Sequence, residues 1–383
     1  MNFNLTEEQQ QFSDSLGRWL KRNYTFEHRR ESIREGKANL ADWNALAELG
    51  TFALTATEDA GGFDGNAVDV IATMEQMGSQ LVVEPVLDAY AALDLLKDAP
   101  QATELCSDIA TGAARASVAI FERESRYDAR LIALTATRQG DGYVLQGEKT
   151  LVAHGAQADV FIVAARTAGT PGDTAGIGLF RVPADAAGIT VVDYACIDGS
   201  RAADIRFDNV VIPADALLHT ENEAWLQLDH AVDLATVAVC GEALGVMQAL
   251  NEATFEYMKT RKQFGVVLGS FQALQHRCVE MFMEWRQARV LTMLAATKMQ
   301  SEDANERHRA VSAAKHRVNR ALRFIGQNAV HLHGGIGVTD ELPVAHYFKR
   351  STIISKTWGD TDHHIERYTA NPAFSAAPQA EAA

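Results

Sequence analysis

The chain has 383 residues, 47% of them hydrophobic and 22% charged, with a formal net charge of −15. That length exceeds one compact core and predicts two or three packed modules. The balance is globular rather than disordered. So acidic a chain excludes nucleic acid or an anionic membrane as a general partner, and an anionic ligand needs a local basic patch.

The four cysteines, Cys106, Cys196, Cys240 and Cys278, are far apart and form no CxxC pair. They predict reduced thiols in an intracellular protein. No apolar run is read as a membrane span. The polar, acidic start MNFNLTEEQQQF is neither a signal nor a transit peptide in pattern, so the expected location is cytoplasmic.

Residues 1–115 read as helices. Thr6 stands three before Gln9, a capping-box pattern, and Phe12, Leu16 and Leu20 then make one apolar stripe. Residues 116–222 shorten their period into strand-like runs at 117–121, 131–137, 143–145, 160–165, 178–182, 189–192 and 203–207. Gly-Asp-Gly at 140–142 and Pro-Gly-Asp at 171–173 are hairpin turns in this reading. Residues 223–371 return to the helical period. Leu234 to Lys262, Leu274 to Ala288 and Val311 to Ala329 predict three long helices, and Pro343 to Trp358 a shorter fourth, in an antiparallel bundle. Residues 372–383 are small and polar, and a frayed tail is expected.

Three segments carry candidate chemistry. Arg261-Lys262-Gln263-Phe264-Gly265, with Gly269-Ser270-Phe271-Gln272, sets cations and an aromatic beside a glycine-bearing turn, where a diphosphate and a flat ring can be met. Ordinary helix termination explains the same residues. His331-Leu332-His333-Gly334-Gly335-Ile336-Gly337 frees backbone N–H groups for phosphate oxygens, or simply ends a helix. Trp358-Gly359-Asp360-Thr361-Asp362-His363-His364-Ile365-Glu366-Arg367 mixes carboxylates and histidines. No metal is expected there, because adjacent His363 and His364 point apart and no HExxH spacing exists. A helix start capped by Asp360 or Asp362 is the plain alternative.

Taken in order, LTEEQ at 5–9, ELG at 48–50, EDAGGFDG at 58–65, GDGYVLQGEK at 140–149, YMKTRKQFG at 257–265, GSFQALQHR at 269–277 and HLHGGIGVTDE at 331–341 resemble the acyl-CoA dehydrogenase family over nearly the whole chain. Ser125-Arg126-Tyr127-Asp128-Ala129 and Gly359 to His364 are similar to small subunits of the pimeloyl-CoA dehydrogenase kind. The resemblance implies an N-terminal helical domain, a middle all-β domain and a C-terminal antiparallel four-helix bundle. It implies FAD, an acyl-CoA substrate desaturated between its α and β carbons, and electron-transfer flavoprotein as acceptor. It further implies FAD contacts for Arg261, Phe264, Gln272, His331, Gly334, Gly335, Asp362 and His364, with Arg126 and Tyr127 as alternatives on the β-domain.

The family's usual base is a glutamate. Alignment on Ile365-Glu366-Arg367 sets Asp360 there, and the other family position falls on Ala235, which cannot act. Such a base needs a raised pKa. Aspartate reaches about 1.5 Å less far than glutamate. On the flavin side, Phe121 to Arg126 replaces a Thr-Glu-Pro-Gly-like loop, Leu151-Val152-Ala153 replaces Trp-Ile-Thr, and His331 replaces a Gln. The resemblance therefore leaves three arrangements open. They are one half of a heteromeric dehydrogenase, a homo-oligomer with Asp360 as base, and a non-catalytic scaffold completing a partner's FAD site.

Overall fold

The structure, a computed structural model, describes residues 4–36, 39–219 and 223–375. Most of the expected C-terminal tail lies outside them. The helices before the sheet are α1 (Glu7–Asn23), α2 (Phe26–Glu35), α3 (Leu40–Glu48), α4 (Ala67–Gln80), α5 (Val86–Leu96) and α6 (Thr103–Ala110). The strands follow: β1 (Ala116–Ala119), β2 (Thr135–Gln139), β3 (Gly142–Ala153), β4 (Val160–Arg166), β5 (Ile177–Pro183), β6 (Ile189–Ala195), β7 (Arg201–Pro213) and β8 (Leu217–His219). Then come α7 (Ala224–Thr260), a hairpin of β9 (Lys262–Gln263) and β10 (Val266–Val267), α8 (Gln272–Lys298), α9 (Ala304–His333), α10 (Pro343–Ile354), α11 (Thr361–Thr369) and α12 (Pro372–Ser375). Helices, β-module and helical bundle thus occur in the expected order.

The chain divides into two compact units that are discontinuous in sequence. The first comprises residues 27–66 and 83–235. Its sheet runs β6-β7-β3-β2-β4-β5-β8, with β1 beside β4. Gln139 pairs with Gly142, so Gly140-Asp141 is the two-residue loop of a hairpin. One face closes over Leu145, Phe161, Phe180, Ile205, Phe207 and their neighbours. On the helical side, Trp43 stacks on Phe52 with ring centroids 3.9 Å apart. Its indole N–H also donates to the Gly112 carbonyl at 2.7 Å.

The strand expected over 131–137 starts only at Thr135. The Ala133 and Leu134 N–H groups donate instead to the Glu122 carboxylate, at 2.9 and 3.0 Å. That side chain outcompetes a strand neighbour for their hydrogen bonds.

The second unit comprises residues 1–26, 67–82 and 236–383. The capping box forms: Gln9 N–H donates to Thr6 Oγ1 at 3.2 Å and Thr6 N–H to Gln9 Oε1 at 3.0 Å. Helices α4 and α7 touch backbone to backbone. A Cβ on Gly78 would lie 2.0 Å from the Glu242 carbonyl oxygen, and one on Gly245 would lie 1.9 Å from that of Glu75. Only glycine permits that approach. Arg350 grips the buried Glu242 carboxylate through Nε and Nη2, at 2.6 and 2.8 Å.

By length and composition α7 carries an 18-residue window that meets the test for a membrane span, contrary to the sequence reading. That window is 89% buried inside the protein. Burial of a core helix explains the apolar run.

Candidate functional site

Three surfaces of the second unit hold most of the candidate residues. At the first, α7 ends and the chain turns in a β-hairpin rather than a simple helix stop. Val266 pairs with Gln263 and Val267 with Lys262. Phe264 and Gly265 form the tip at φ +56° and +81°. A phenylalanine in the left-handed region costs about 1 kcal/mol or more, which points to a purpose for its side chain. The ring is 89% exposed and meets Phe271 edge-on at 6.2 Å between centroids. Arg261 and Gln272 flank the hairpin and are exposed. Beyond it, Phe255, Met258, Gly269, Leu274, Gln275 and Cys278 line an apolar recess of about 220 Å³.

The second surface is the end of α9. Tyr257 stacks on His333, centroids 4.4 Å apart, so the ends of α7 and α9 meet. His333 Nδ1–H donates to the Ala329 carbonyl at 2.7 Å, and burial pushes its pKa down. His331, Gly334 and Gly335 are exposed, and a Cβ on either glycine would meet nothing within 4 Å. The backbone there is open to a ligand.

The third surface is the turn from α10 to α11. Asp360 is the N-cap of α11, its Oδ1 accepting from His363 N–H at 3.1 Å and its Oδ2 from Lys356 at 3.0 Å. Burial raises the Asp360 pKa, but the His363 N–H and Lys356 outweigh it and hold the carboxyl below its usual range. That is opposite to the raised value a general base needs.

Asp362 is exposed. His364 is 1% exposed, with Nε2–H donating to the Trp358 carbonyl at 2.9 Å. The ring is buried in this chain, and burial drives its pKa well below 6.5.

In the first unit, Arg126 is exposed at φ +48° and Tyr127 half-buried, both on the loop after β1. Sequence reasoning missed what fixes this loop. Lys149, fully buried, donates to the Ile120 carbonyl and to Glu122 Oε1, each at 2.8 Å. The signal was a lysine on the inward parity of β3, two and four residues after Gly147 and Leu145.

Strand β3 bulges between Lys149 and Val152. Leu151 sits there at φ +55° with its side chain 71% exposed. Its N–H donates to Asp204 Oδ1 at 3.1 Å, which also accepts from the Tyr194 hydroxyl at 3.0 Å. Burial and then the Asp204 bond push the Tyr194 phenol up to about 12.

With this geometry in view, three domain models of one family match in sequence order. The N-terminal, middle and C-terminal domains of acyl-CoA dehydrogenase match residues 6–89, 117–210 and 225–371. The chain belongs to the acyl-CoA dehydrogenase family.

As a member of that family it is an FAD-dependent oxidoreductase acting on the CH–CH bond of an acyl-CoA thioester. Among its relatives, the probable acyl-CoA dehydrogenase YngJ of Bacillus subtilis is 27% identical over 365 residues, covering 92% of this chain and 95% of that one. The butyryl-CoA dehydrogenase of Megasphaera elsdenii superposes with a TM-score of 0.87 at 24% identity, covering 97% and 100%. A chain of the ChsE4–ChsE5 complex of Mycobacterium tuberculosis gives 0.88 at 24%, covering 97% and 99%.

In this acyl-CoA dehydrogenase, Arg261, Phe264, Gln272 and the open Gly334-Gly335 backbone fit the diphosphate and adenosine of FAD. A cation, a ring face and free backbone are what that end requires. The bulge at Leu151 fits the flavin ring poorly. Leu151 and Ala153 offer no side-chain donor, and Asp204 already takes the Leu151 N–H.

Proposed function

We propose that this chain is one subunit of a heteromeric acyl-CoA dehydrogenase. It would present Arg261, Phe264, Gln272, His331 and the Gly334-Gly335 turn to the distal half of an FAD whose ring lies against a partner of the same family. The observation that carries the reading is the β3 bulge, where a strained, exposed Leu151 and an Ala153 stand at positions that hold a ring and a hydroxyl in the family pattern. Exposed apolar side chains on α8 at Val279, Phe282, Met283 and Val290 also need a cover, which supports assembly with another subunit. Electron-transfer flavoprotein as acceptor, a cytoplasmic location, and domain bounds at 1–115, 116–222 and 223–371 belong to the same proposal.

When bound, FAD supplies the acceptor for the β-hydride. Within this chain, Arg261 would offset diphosphate charge and Phe264 would cover the adenine. In the homo-oligomer arrangement, Asp360 Oδ2 would be the oxygen that accepts the α-proton, once the 65%-exposed Lys356 side chain swings away. A second reading has a specific observation behind it. Asp360 has both oxygens engaged, in a cap and an ion pair, which suits a structural role with the base supplied by the partner.

FAD content and solution mass test the assembly. Expressed alone, the chain should be colourless, and co-expression with a family partner should restore about one FAD per pair. One FAD per chain in a homodimer or homotetramer would overturn the proposal.

A further inference from the structure

Helix α9 carries a polar row at Ser312, Lys315, His316 and Asn319. The spacing i, i+3, i+4, i+7 sets all four on one face. Ser312 and Lys315 are 0% exposed and Asn319 is 3% exposed, so this row points into the bundle, not to water. It faces the turn between α10 and α11. Lys315 Nζ donates to the Ile354 carbonyl at 2.7 Å and to Asn319 Oδ1 at 2.8 Å. Asn319 Nδ2 donates to the Gly359 carbonyl at 3.4 Å, and His316 Nδ1–H to that of Thr361 at 3.2 Å. From α11 itself, His364 donates to the Trp358 carbonyl and turns Nδ1 toward Ser312 Oγ at 3.5 Å.

Two carbonyls of the short turn, of Trp358 and Gly359, and the two of the helix residues that bound it, Ile354 and Thr361, therefore take donors from side chains. The turn needs them. Trp358 and Gly359 are consecutive left-handed residues, at φ +55° and +106°. A non-glycine residue in that region stays there only when its surroundings enforce it. A buried ammonium is costly, and among the described residues Lys315 forms no direct ion pair with a carboxylate. A methionine would fill the space without that cost. What a methionine lacks is the donor to Ile354 and to the Asn319 relay.

We infer that Lys315 is a positioning residue for Asp360: through Ile354, Asn319 and the Gly359 carbonyl it fixes the turn that sets the Asp360 carboxylate over the start of α11. The groups facing Lys315 agree with this. They are Cys240 and Glu242 from α7, Lys356 after α10, and Asp360 and His364 of α11. Among them Asp360 and Glu242 favour the ammonium, and Lys356 opposes it. Burial holds the Lys315 pKa down to about 8, which leaves it charged at neutral pH. The inference rests on where Asp360 sits, not on whether Asp360 is the base.

The test uses the full chain in two variants, Lys315→Met and the milder Asn319→Ala. Amide exchange of Asp362 and His363 reads the cap, and an NMR titration of Asp360 reads its carboxyl. Expected are about tenfold faster exchange at His363 in Lys315→Met, severalfold in Asn319→Ala, and an upward shift of the Asp360 titration, with α8 amides unchanged. Should Lys315→Met fail to fold, Asn319→Ala alone decides. Unchanged His363 exchange and Asp360 titration in a folded variant would overturn the inference. A uniform rise in exchange throughout the bundle would also overturn it, because that marks general destabilisation. FAD content enters neither readout, so failure here leaves the subunit proposal standing, and failure of that proposal leaves this one.

Discussion

Lys149 donates from a fully buried ammonium to Glu122 Oε1 at 2.8 Å, across 27 residues of chain. Glu122 in turn accepts the Ala133 and Leu134 N–H groups, so one ion pair organises the whole loop from Ile120 to Leu134. Removing one partner of a buried pair leaves the other uncompensated, and Lys149→Met should cost about 3–5 kcal/mol.

The same pair gives a pH signature. Burial pulls the Lys149 pKa down to about 8, against the opposing pull of Glu122. The folded value lies below the 10.5 of a free lysine, so between about 8 and 10.5 the unfolded chain binds the extra proton. The charging penalty is full below about 8 and is relieved as pH rises through that window. Denaturant midpoints of the wild type should therefore rise relative to Lys149→Met between pH 7.5 and 9.5. Parallel midpoints would refute a buried, depressed lysine.

Phe264 and Arg261 separate ligand binding from folding. Phe264 stands at φ +56° and is almost wholly exposed. Phe264→Gly removes left-handed strain of about 1 kcal/mol and adds chain entropy of similar size, so thermal stability should hold within about 0.5 kcal/mol. FAD affinity of the assembled enzyme should nonetheless fall about tenfold, and Arg261→Ala should weaken it at least as much. Fluorescence titration with FAD on the reconstituted enzyme measures both. Unchanged affinity in the two variants would remove this hairpin from the cofactor site.

How much of this was legible in sequence differs from segment to segment. Strict periodicity made α9 readable, because it buries the stripe Val311, Ala314, Val318, Leu322, Ile325 and Ala329; α8 forms as well, although Phe282 of its expected stripe is exposed and only Met281 and Ala288 of that stripe are buried. The β9–β10 hairpin was not, since Arg261 to Gly265 satisfies the rules for a helix end equally well. The α9 row escaped for a related reason. Lys315 and Asn319 look like solvent-facing residues until the α10–α11 turn, some 40 residues on, brings carbonyls over them. The α1 and α4 segments join the bundle unit only through contacts distant in sequence. The burial of His364 was not legible, because a motif match carries order along the chain but not which way a ring turns.

Asp360 distinguishes capping from catalysis. Asp360→Asn keeps an oxygen for the His363 N–H, and Asp360→Ala does not. Asp360→Ala should cost about 1 kcal/mol, and Asp360→Asn only a few tenths. The depressed carboxyl adds an acid signature. Its contribution is present above the free value of 3.8 and is lost as pH falls through the lower folded value, so both variants should flatten acid unfolding. Turnover of the assembled enzyme supplies the second axis. A fall of about a hundredfold or more in Asp360→Asn assigns the proton transfer to this chain. Retained turnover assigns the base to the partner and leaves Asp360 a cap.

The His364 ring leaves no room for a side chain on Gly359. A Cβ on Gly359 would lie 2.3 Å from His364 Nε2, at a backbone φ of +106° that side chains rarely adopt. Gly359→Ala therefore combines strain with a clash against a buried ring, and should cost about 2–4 kcal/mol. The double variant Gly359→Ala, His364→Ala should recover part of that loss by removing the ring, but not the part due to φ. The ring also sets an acid limit. Burial, with Lys315 and His363 nearby, holds His364 neutral in the folded chain well below 6.5. The unfolded chain takes up the proton first, so the stabilisation is full above about 6.5 and erodes as pH falls below it. Wild-type midpoints measured between pH 7.5 and 5 should drop more steeply than those of His364→Gln. Equal slopes would mean that His364 is charged, or exposed, in the folded protein.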